Sequence, residues 1–314
     1  MTPFARHALS LTAIALASLS LTACGKKEAP PTAGNEVIIT IGHAAPLTGP
    51  QAHLGKDNEN GAVMAIDELN SRGMSIDGKK VKFVLVSEDD QADPKAGTTV
   101  AQKFVDQKVN GVIGHLNSGT TIPASRIYAE AGIPQISGSA TNPTYTQQGF
   151  KTTFRVFAND IHQGQALAQF ATKSLKAKTI AIVDDRTAYG QGLADEVDKA
   201  VKANGGSVVT REFTSDKATD FQAILTRVKA QNPDVIVYSG MDSQGGPMLK
   251  QIKQLGINAN TVAMLPIAVF ALTGVITAKD LKEIDWAVIW MVAGGFALGL
   301  AMNGTGLAEA AVKS

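Results

Sequence analysis

The sequence predicts an α/β protein, a parallel sheet with helices on both faces. Two observations predict it. Short runs rich in Val and Ile alternate, from residue 37 to about residue 261, with longer segments whose apolar residues recur at helical spacing. Hydroxyl-rich turns also follow two successive strands, at the carboxyl ends where open α/β sheets hold their ligands. With 30 glycines and only 5% aromatics, the composition suits many tight strand-to-helix turns.

Residues 37–41 read as the first strand, and Pro46, Thr48, Gly49 and Pro50 as the loop after it. A helix over 55–69 places Ala62, Ala65, Ile66 and Leu69 on one face, and Gly73 lies just past its end. The second strand is 81–86. The acids that follow, Glu88, Asp89 and Asp90, read as a solvated loop, with no further ligand at metal spacing. Asp93 and Pro94 then suit the N-cap and first residue of a helix over 95–107. Strand 111–116 contains Val112 and Ile113, and Pro123 suits the first turn of a helix over 123–130.

Strands at 133–136 and 154–157 complete a first group. The second group begins near Asn159, with helices over 163–174, up to Asn204, over 221–229 and over 247–255. Its strands are 179–183, 208–213 and 235–239, and residues 240–246 form a third turn at a strand's carboxyl end.

The two hydroxyl turns, 111–121 and 136–143, organise the functional reading. Asn117, Ser118, Thr120 and Thr121 stand in the first; Ser137, Ser139, Thr141 and Asn142 stand in the second. Small hydroxyls and free N–H groups between a strand end and a helix N-terminus suit an anion. The expectation is that the two turns hold the carboxylate and amine of a small amino acid. Tyr189 projects into the same cleft from the second group. Gly190, Gly192 and Asp195 come close to a dinucleotide fingerprint but lack its third glycine.

The net charge of +1 excludes a nucleic-acid footprint. There is no Walker A loop, no Gly-x-Ser-x-Gly elbow and no His–Cys cluster, so no enzyme, cofactor or metal is expected. Of the histidines, His43, His53, His115 and His162 fall in loops or strand ends as structural residues. The single cysteine, Cys24, excludes an internal disulfide. It follows an apolar run after Arg6 and His7, which reads as an export signal over 1–24. Residues 21–24 resemble the bacterial lipoprotein cleavage box, which implies lipidation at Cys24 and a lipid anchor at the cell envelope. Residues 25–36 are polar and Pro/Gly-rich, a tether.

From residue 37 to about 261 the sequence resembles the periplasmic branched-chain amino-acid-binding proteins of ABC importers. The carrying residues are 112–116 with Ser118; Ile136 and Ser137 with 140–143; 180–183 with Tyr189 and Gly190; and Met248 and Leu249 with Leu255 and Gly256. The resemblance implies the type I periplasmic binding protein fold, two Rossmann-like lobes (37–158 and 159–261) around a ligand cleft. It implies a receptor that delivers a branched-chain or similar amino acid to an inner-membrane permease. By position, Ser118 and Thr141 would bind the carboxylate, and the Ser139 backbone and Thr141 would share the amine. Tyr189 would close from the second lobe, and Leu116, Asn117 and Leu54 would line the side-chain pocket. Ala140 belongs to the same turn. The sequence departs from the family at Met241, where leucine-binding relatives often place an aromatic, with Asp242 beside it. It also lacks the family's acidic partner for the amine beyond Thr261.

Past residue 261 the character changes. Residues 262–276 and 286–302 carry no charge, and Trp286 and Trp290 suit a membrane interface. The second run is near the lower limit for a bilayer span. Residues 262–314 therefore read as an apolar helical tail with one or two membrane-type helices. The tail resembles a fragment of the divalent anion:sodium symporters, in 264–266, 273–277, 293–299 and 305–309. That suggests, as an alternative, a chimera with no transport activity of its own. If the tail does not return to the first lobe, that lobe keeps a sheet edge and apolar faces uncovered.

Overall fold

The computed structural model describes residues 36–257 and the backbone of residues 260–263. The export signal, Cys24, nearly all of the tether and the apolar tail from residue 264 onward lie outside the described residues.

Two sheets organise the chain. The first comprises β1 (Glu36–Ala45), β2 (Ser75–Ile76), β3 (Lys79–Asp89), β4 (Gly111–Gly114), β5 (Gln135–Ser137) and β6 (Thr153–Arg155), in the order β2-β3-β1-β4-β5-β6. All pairings are parallel except β2 with β3. Its helices are α1 (Ala52–Ser71), α2 (Pro94–Asp106), α3 (Ser118–Glu130) and the short α4 (Thr144–Gln147). The second sheet has β7 (Thr179–Asp184), β8 (Ser207–Phe213), β9 (Val235–Ser239) and β10 (Asn260–Ala263) in the order β10-β9-β7-β8, all parallel. Its helices are α5 (Asp160–Gln169), extended by a π-helical turn over Phe170–Ser174, then α6 (Ala188–Ala203), α7 (Gln222–Ala230) and α8 (Asp242–Gln254).

Strand periodicity explains the layers. In β7, Ile180 and Ile182 point to one face and pack with Leu167, Leu193, Val197 and Val201 of α5 and α6. Ala181 and Val183 point to the other and pack with Leu225, Val228, Met248 and Ile252 of α7 and α8. A strand enclosed on both faces has to be apolar throughout, which is why β7 and β9 are legible as continuous Val/Ile runs. In the first lobe Phe104, Val112, Ala124 and Tyr128 join α2 and α3 to one face of the sheet. Each fully buried side chain of this size contributes roughly 1.5–3 kcal/mol.

The other face of the first sheet is covered unevenly. Paired residues of neighbouring strands share a face, so His43, Ile113, Ile136 and Phe154 lie on one side. Asn58 of α1 bonds His43 at 3.1 Å and covers that end. At the β6 edge Ile136, Phe154 and Val156 are exposed by 41%, 48% and 71%.

Local chemistry sets most element starts. Asp93 is the N-cap of α2 and accepts from the Lys95 and Ala96 amides, with Pro94 at the first helical position, as expected. Helices α3 and α8 start earlier than expected. Pro123 and Pro247 do not open them; each is the sixth helical residue. A proline there forfeits one bond to the carbonyl four residues back. The turn ahead of it is held by other bonds. The Asn117 carbonyl accepts from the Thr120 and Thr121 amides and from both their hydroxyls, at 2.7–3.1 Å. The Met241 carbonyl accepts from the Gln244 and Gly245 amides. Thr120 and Thr121 are therefore helical and buried, not free turn hydroxyls.

The acid run is corrected as well. Glu88 pairs with Lys103 at 2.6 Å. Asp89 accepts from the Leu47 and Gln91 amides and the Thr48 hydroxyl. Asp90 is wholly buried rather than solvated, because His115 gives its carboxylate a partner inside the lobe.

Candidate functional site

The two hydroxyl turns meet. The Asn142 amide donates to the Ser118 hydroxyl oxygen at 3.2 Å, and the Ser139 hydroxyl donates to the Leu116 carbonyl at 2.9 Å. Ser118 is the first residue of α3, and its N-cap, Asn117, gives that helix no side-chain cap. The Ser118 and Gly119 amides, which precede the bonds from the Thr120 and Thr121 amides to the Asn117 carbonyl, lie at the same helix start as the Ser118 hydroxyl, with the positive end of the helix dipole there. Asn117 instead donates to Gln51 at 2.7 Å, which ties the turn to the start of α1 near Leu54. Leu116, Asn117, Ser118 and Ala140 are buried; Ser139, Thr141 and Leu54 are half-buried.

The second turn is clamped from below. Arg155 donates to the Ala140 carbonyl at 2.8 Å and to the Asn142 carbonyl at 2.6 Å, and the Asp160 amide donates to the Thr141 carbonyl at 2.9 Å. With its carbonyls engaged, this turn offers the Thr141 hydroxyl, which is buried and has no well-formed hydrogen bond.

Next to it lies a residue that sequence reasoning missed. Asp160, at the start of α5, is wholly buried, and neither carboxyl oxygen has a hydrogen-bond partner in good geometry. Burial raises its pKa to about 7, although the Thr141 hydroxyl and the Arg155 guanidinium pull it back down. A buried carboxyl eased only by the Thr141 hydroxyl and the Arg155 charge is the kind of group found where function needs one. The available signal was only an acid at a helix start, which reads as an ordinary first-turn residue.

From the second lobe, Tyr189 lies in the first turn of α6 and not in a loop. It is partly buried against the lobe-two core, and its hydroxyl accepts from Gln163 at 3.4 Å. Burial and the nearby Asp160 both raise its pKa. Beside it, Asn142 donates to the Ala188 carbonyl at 2.6 Å, a direct bond between the lobes near their crossover. Gly192 permits this approach, since a Cβ there would stand 2.4 Å from Asn142 Nδ2. The Gly190 and Gly192 spacing is thus a packing device inside α6.

At the opposite rim, Met241 is the N-cap of α8 and is partly buried, while Asp242 is exposed. Asp242 bonds His53 of α1 at 2.9 Å, across the mouth and one residue from Leu54. The structure therefore gathers Leu116, Asn117, Ser118, Ser139, Ala140 and Thr141 at one wall. Tyr189 stands beside them at the crossover, and Leu54, Met241 and Asp242 stand at the rim. Among the described residues no group of acids, His or Cys could hold a metal. Among the same residues no helix is long and apolar enough to cross a membrane. Val262 and Ala263, expected to open the apolar helical tail, instead end β10 and pair with Val237 and Tyr238 of β9, and the remainder of the expected spans, 264–302, lies outside the described residues.

Comparisons with known proteins show the family and the fold. The chain is 40% identical over 225 residues to a Leu/Ile/Val-binding protein homologue of Brucella abortus, covering 72% of this chain and 60% of the relative. It is 38% identical over 224 residues to the Leu/Ile/Val-binding protein BraC3 of Rhizobium johnstonii, covering 71% of this chain and 60% of the relative. The chain thus spans about 60% of the length of these curated relatives. Among solved structures it is similar to the branched-chain amino acid transporter substrate-binding protein LivJ of Streptococcus pneumoniae, in complex with isoleucine. That likeness has a TM-score of 0.64 at 31% identity and covers 72% of this chain and 63% of the other. The type I periplasmic binding protein fold expected from the sequence is borne out. The chimera reading is not supported: the family match runs to residue 291, thirty residues past the break expected at 261. With residues 38–291 matching the family described as periplasmic binding protein, the chain belongs to that family.

Proposed function

We propose that this chain is an extracytoplasmic receptor that binds a branched-chain or similar amino acid and presents it to an ABC permease. It performs no catalytic step. Residues 37–158 serve as the first lobe and 159–261 as the second, and Cys24 carries a lipid anchor. The bond between the Ser118 hydroxyl and the Asn142 amide carries the reading, since it brings two anion-type turns within reach of one small molecule. The ligand carboxylate sits on the Ser118 hydroxyl and the first amides of α3. The ammonium sits between Thr141 and the Asp160 carboxylate, which supplies the acidic partner that the sequence was expected to lack. A buried zwitterion needs each charge hydrogen-bonded, whereas an aliphatic side chain needs only a dry wall. Leu54, Leu116 and Met241 provide that wall.

The relatives named for leucine, isoleucine and valine support this ligand class. Titration calorimetry of the full chain with each of the three tests it. Ser118→Ala is expected to weaken binding about tenfold or more, from loss of a hydrogen bond to a charged group. Absence of heat with all three amino acids on the folded wild-type chain would reject the proposal.

A further inference from the structure

Behind the candidate site, and touching no part of the ligand position, lies a buried chain of Asp90, His115 and Tyr128. All three are 0% exposed. His115 Nδ1–H donates to the Asp90 carboxylate at 2.8 Å, and its Nε2 shares a hydrogen bond with the Tyr128 hydroxyl at 3.0 Å. The three residues come from the end of β3, the end of β4 and the body of α3. Asp90 is itself fixed, because its amide donates to the Ala45 carbonyl of β1 and its other oxygen accepts from the Ala92 amide. The imidazole is therefore held at both ends by parts of the lobe that do not meet the ligand.

The His115 main chain faces the other way. Its carbonyl accepts from the Thr121 hydroxyl at 3.0 Å and from the Ser137 hydroxyl at 2.9 Å. Thr121 belongs to the first turn of α3, which carries Ser118. Ser137 ends β5, and its hydroxyl oxygen accepts the Ala140 amide at 2.9 Å, inside the second turn. One carbonyl thus braces both hydroxyl turns from behind, beside their direct Ser118–Asn142 and Ser139–Leu116 bonds, and it belongs to the residue whose side chain is held by Asp90 and Tyr128.

We infer that His115 is a positioning residue for ligand binding, fixing the distance between the Ser118 and Thr141 turns through the Asp90–His115–Tyr128 chain. A pair of turns that must grip the two ends of one zwitterion is sensitive to sub-ångström changes in their spacing. The three buried polar partners have directional bonds, which narrow that spacing beyond what the apolar packing of Tyr128 imposes. This inference rests on the proposed amino-acid site.

The test uses the full chain with L-leucine as the probe, starting with the wild type. If the wild type binds none of leucine, isoleucine and valine, the function proposal fails and this inference falls with it. If the wild type binds, His115→Ala is expected to weaken leucine at least about tenfold while remaining folded by circular dichroism. His115→Asn, which keeps a donor for Asp90 but loses the Tyr128 bond, is expected to recover part of that loss and to bind about threefold to fivefold more weakly than wild type. Leucine affinity is measured on the folded chain, so a histidine that only stabilised the lobe would lower the urea midpoint of His115→Ala and leave that affinity unchanged. A folded His115→Ala chain binding within about twofold of wild type, or a His115→Asn chain binding no better than His115→Ala, overturns the inference while leaving the function proposal standing. Should His115→Ala not fold, Tyr128→Phe decides. A loss of about threefold or more supports positioning, and any smaller change overturns it.

Discussion

Replacing Asp160 with asparagine separates what this residue does for stability from what it does for binding. The carboxyl is wholly buried, has no hydrogen-bond partner in good geometry, and has its pKa lifted by burial from 3.8 to about 7. A folded-state value above the unfolded one means that the folded chain holds a proton the unfolded chain gives up. Its contribution to stability is complete below about pH 4 and is lost as pH rises through about 7. Carrying the charge in place at higher pH costs on the order of 4 kcal/mol. The ligand-free asparagine variant is therefore expected to match wild type near pH 4 and to exceed it by a few kcal/mol near pH 8.5. Urea unfolding at the two pH values measures the difference.

Binding should move the other way. If the ligand ammonium pairs with ionised Asp160, binding expels a proton, and wild-type affinity falls up to about tenfold for each pH unit below 7. Asp160→Asn should lose that dependence and bind leucine at least about tenfold more weakly at pH 8. The reasoning is refuted if wild-type stability is flat between pH 4 and 8.5. It is equally refuted if the asparagine variant binds as tightly as wild type.

Other outcomes follow from the same geometry. Gly190→Ala would place a Cβ 2.1 Å from Asp185 Oδ1 and 2.6 Å from the Ser239 carbonyl oxygen, so it should destabilise the second lobe by about 1–3 kcal/mol in denaturant titrations. His53→Ala removes the half-exposed bond across the mouth; leucine should dissociate up to about fivefold faster in stopped flow, with the difference shrinking at high salt. Asp93→Ala removes the acceptor of two α2 amides and should cost about 1 kcal/mol in the same unfolding assay.

What could be read in advance depended on how local its cause was. Strands β7 and β9 announce themselves because enclosure on both faces demands an unbroken apolar run. The Asp93–Pro94 start of α2 is legible because cap and helix are adjacent in the chain. Helices α3 and α8 were placed too late because proline is a reliable local stop, and the bonds that override it at Asn117 and Met241 depend on the fold around them. The turns of Ser118 and Thr141 could be found from composition, but their approach through Asn142 could not. Asp160 and Asp90 carry no local mark at all. One is an acid at a helix start and the other an acid in a loop, and only the assembled lobes show that the first is isolated and the second is paired to a buried histidine.

The contact between His53 and Asp242 has a practical consequence. These residues stand 189 positions apart in the chain yet 2.9 Å apart in space, one on each side of the mouth. The sequence has a single native cysteine, Cys24, far from both in sequence. Replacing Cys24 with serine and putting a cysteine at position 53 would give one attachment point for an environment-sensitive dye. If the proposed amino-acid receptor closes across this contact, light emitted from that position would report the closure, and the labelled molecule would serve as an optical sensor for its ligand.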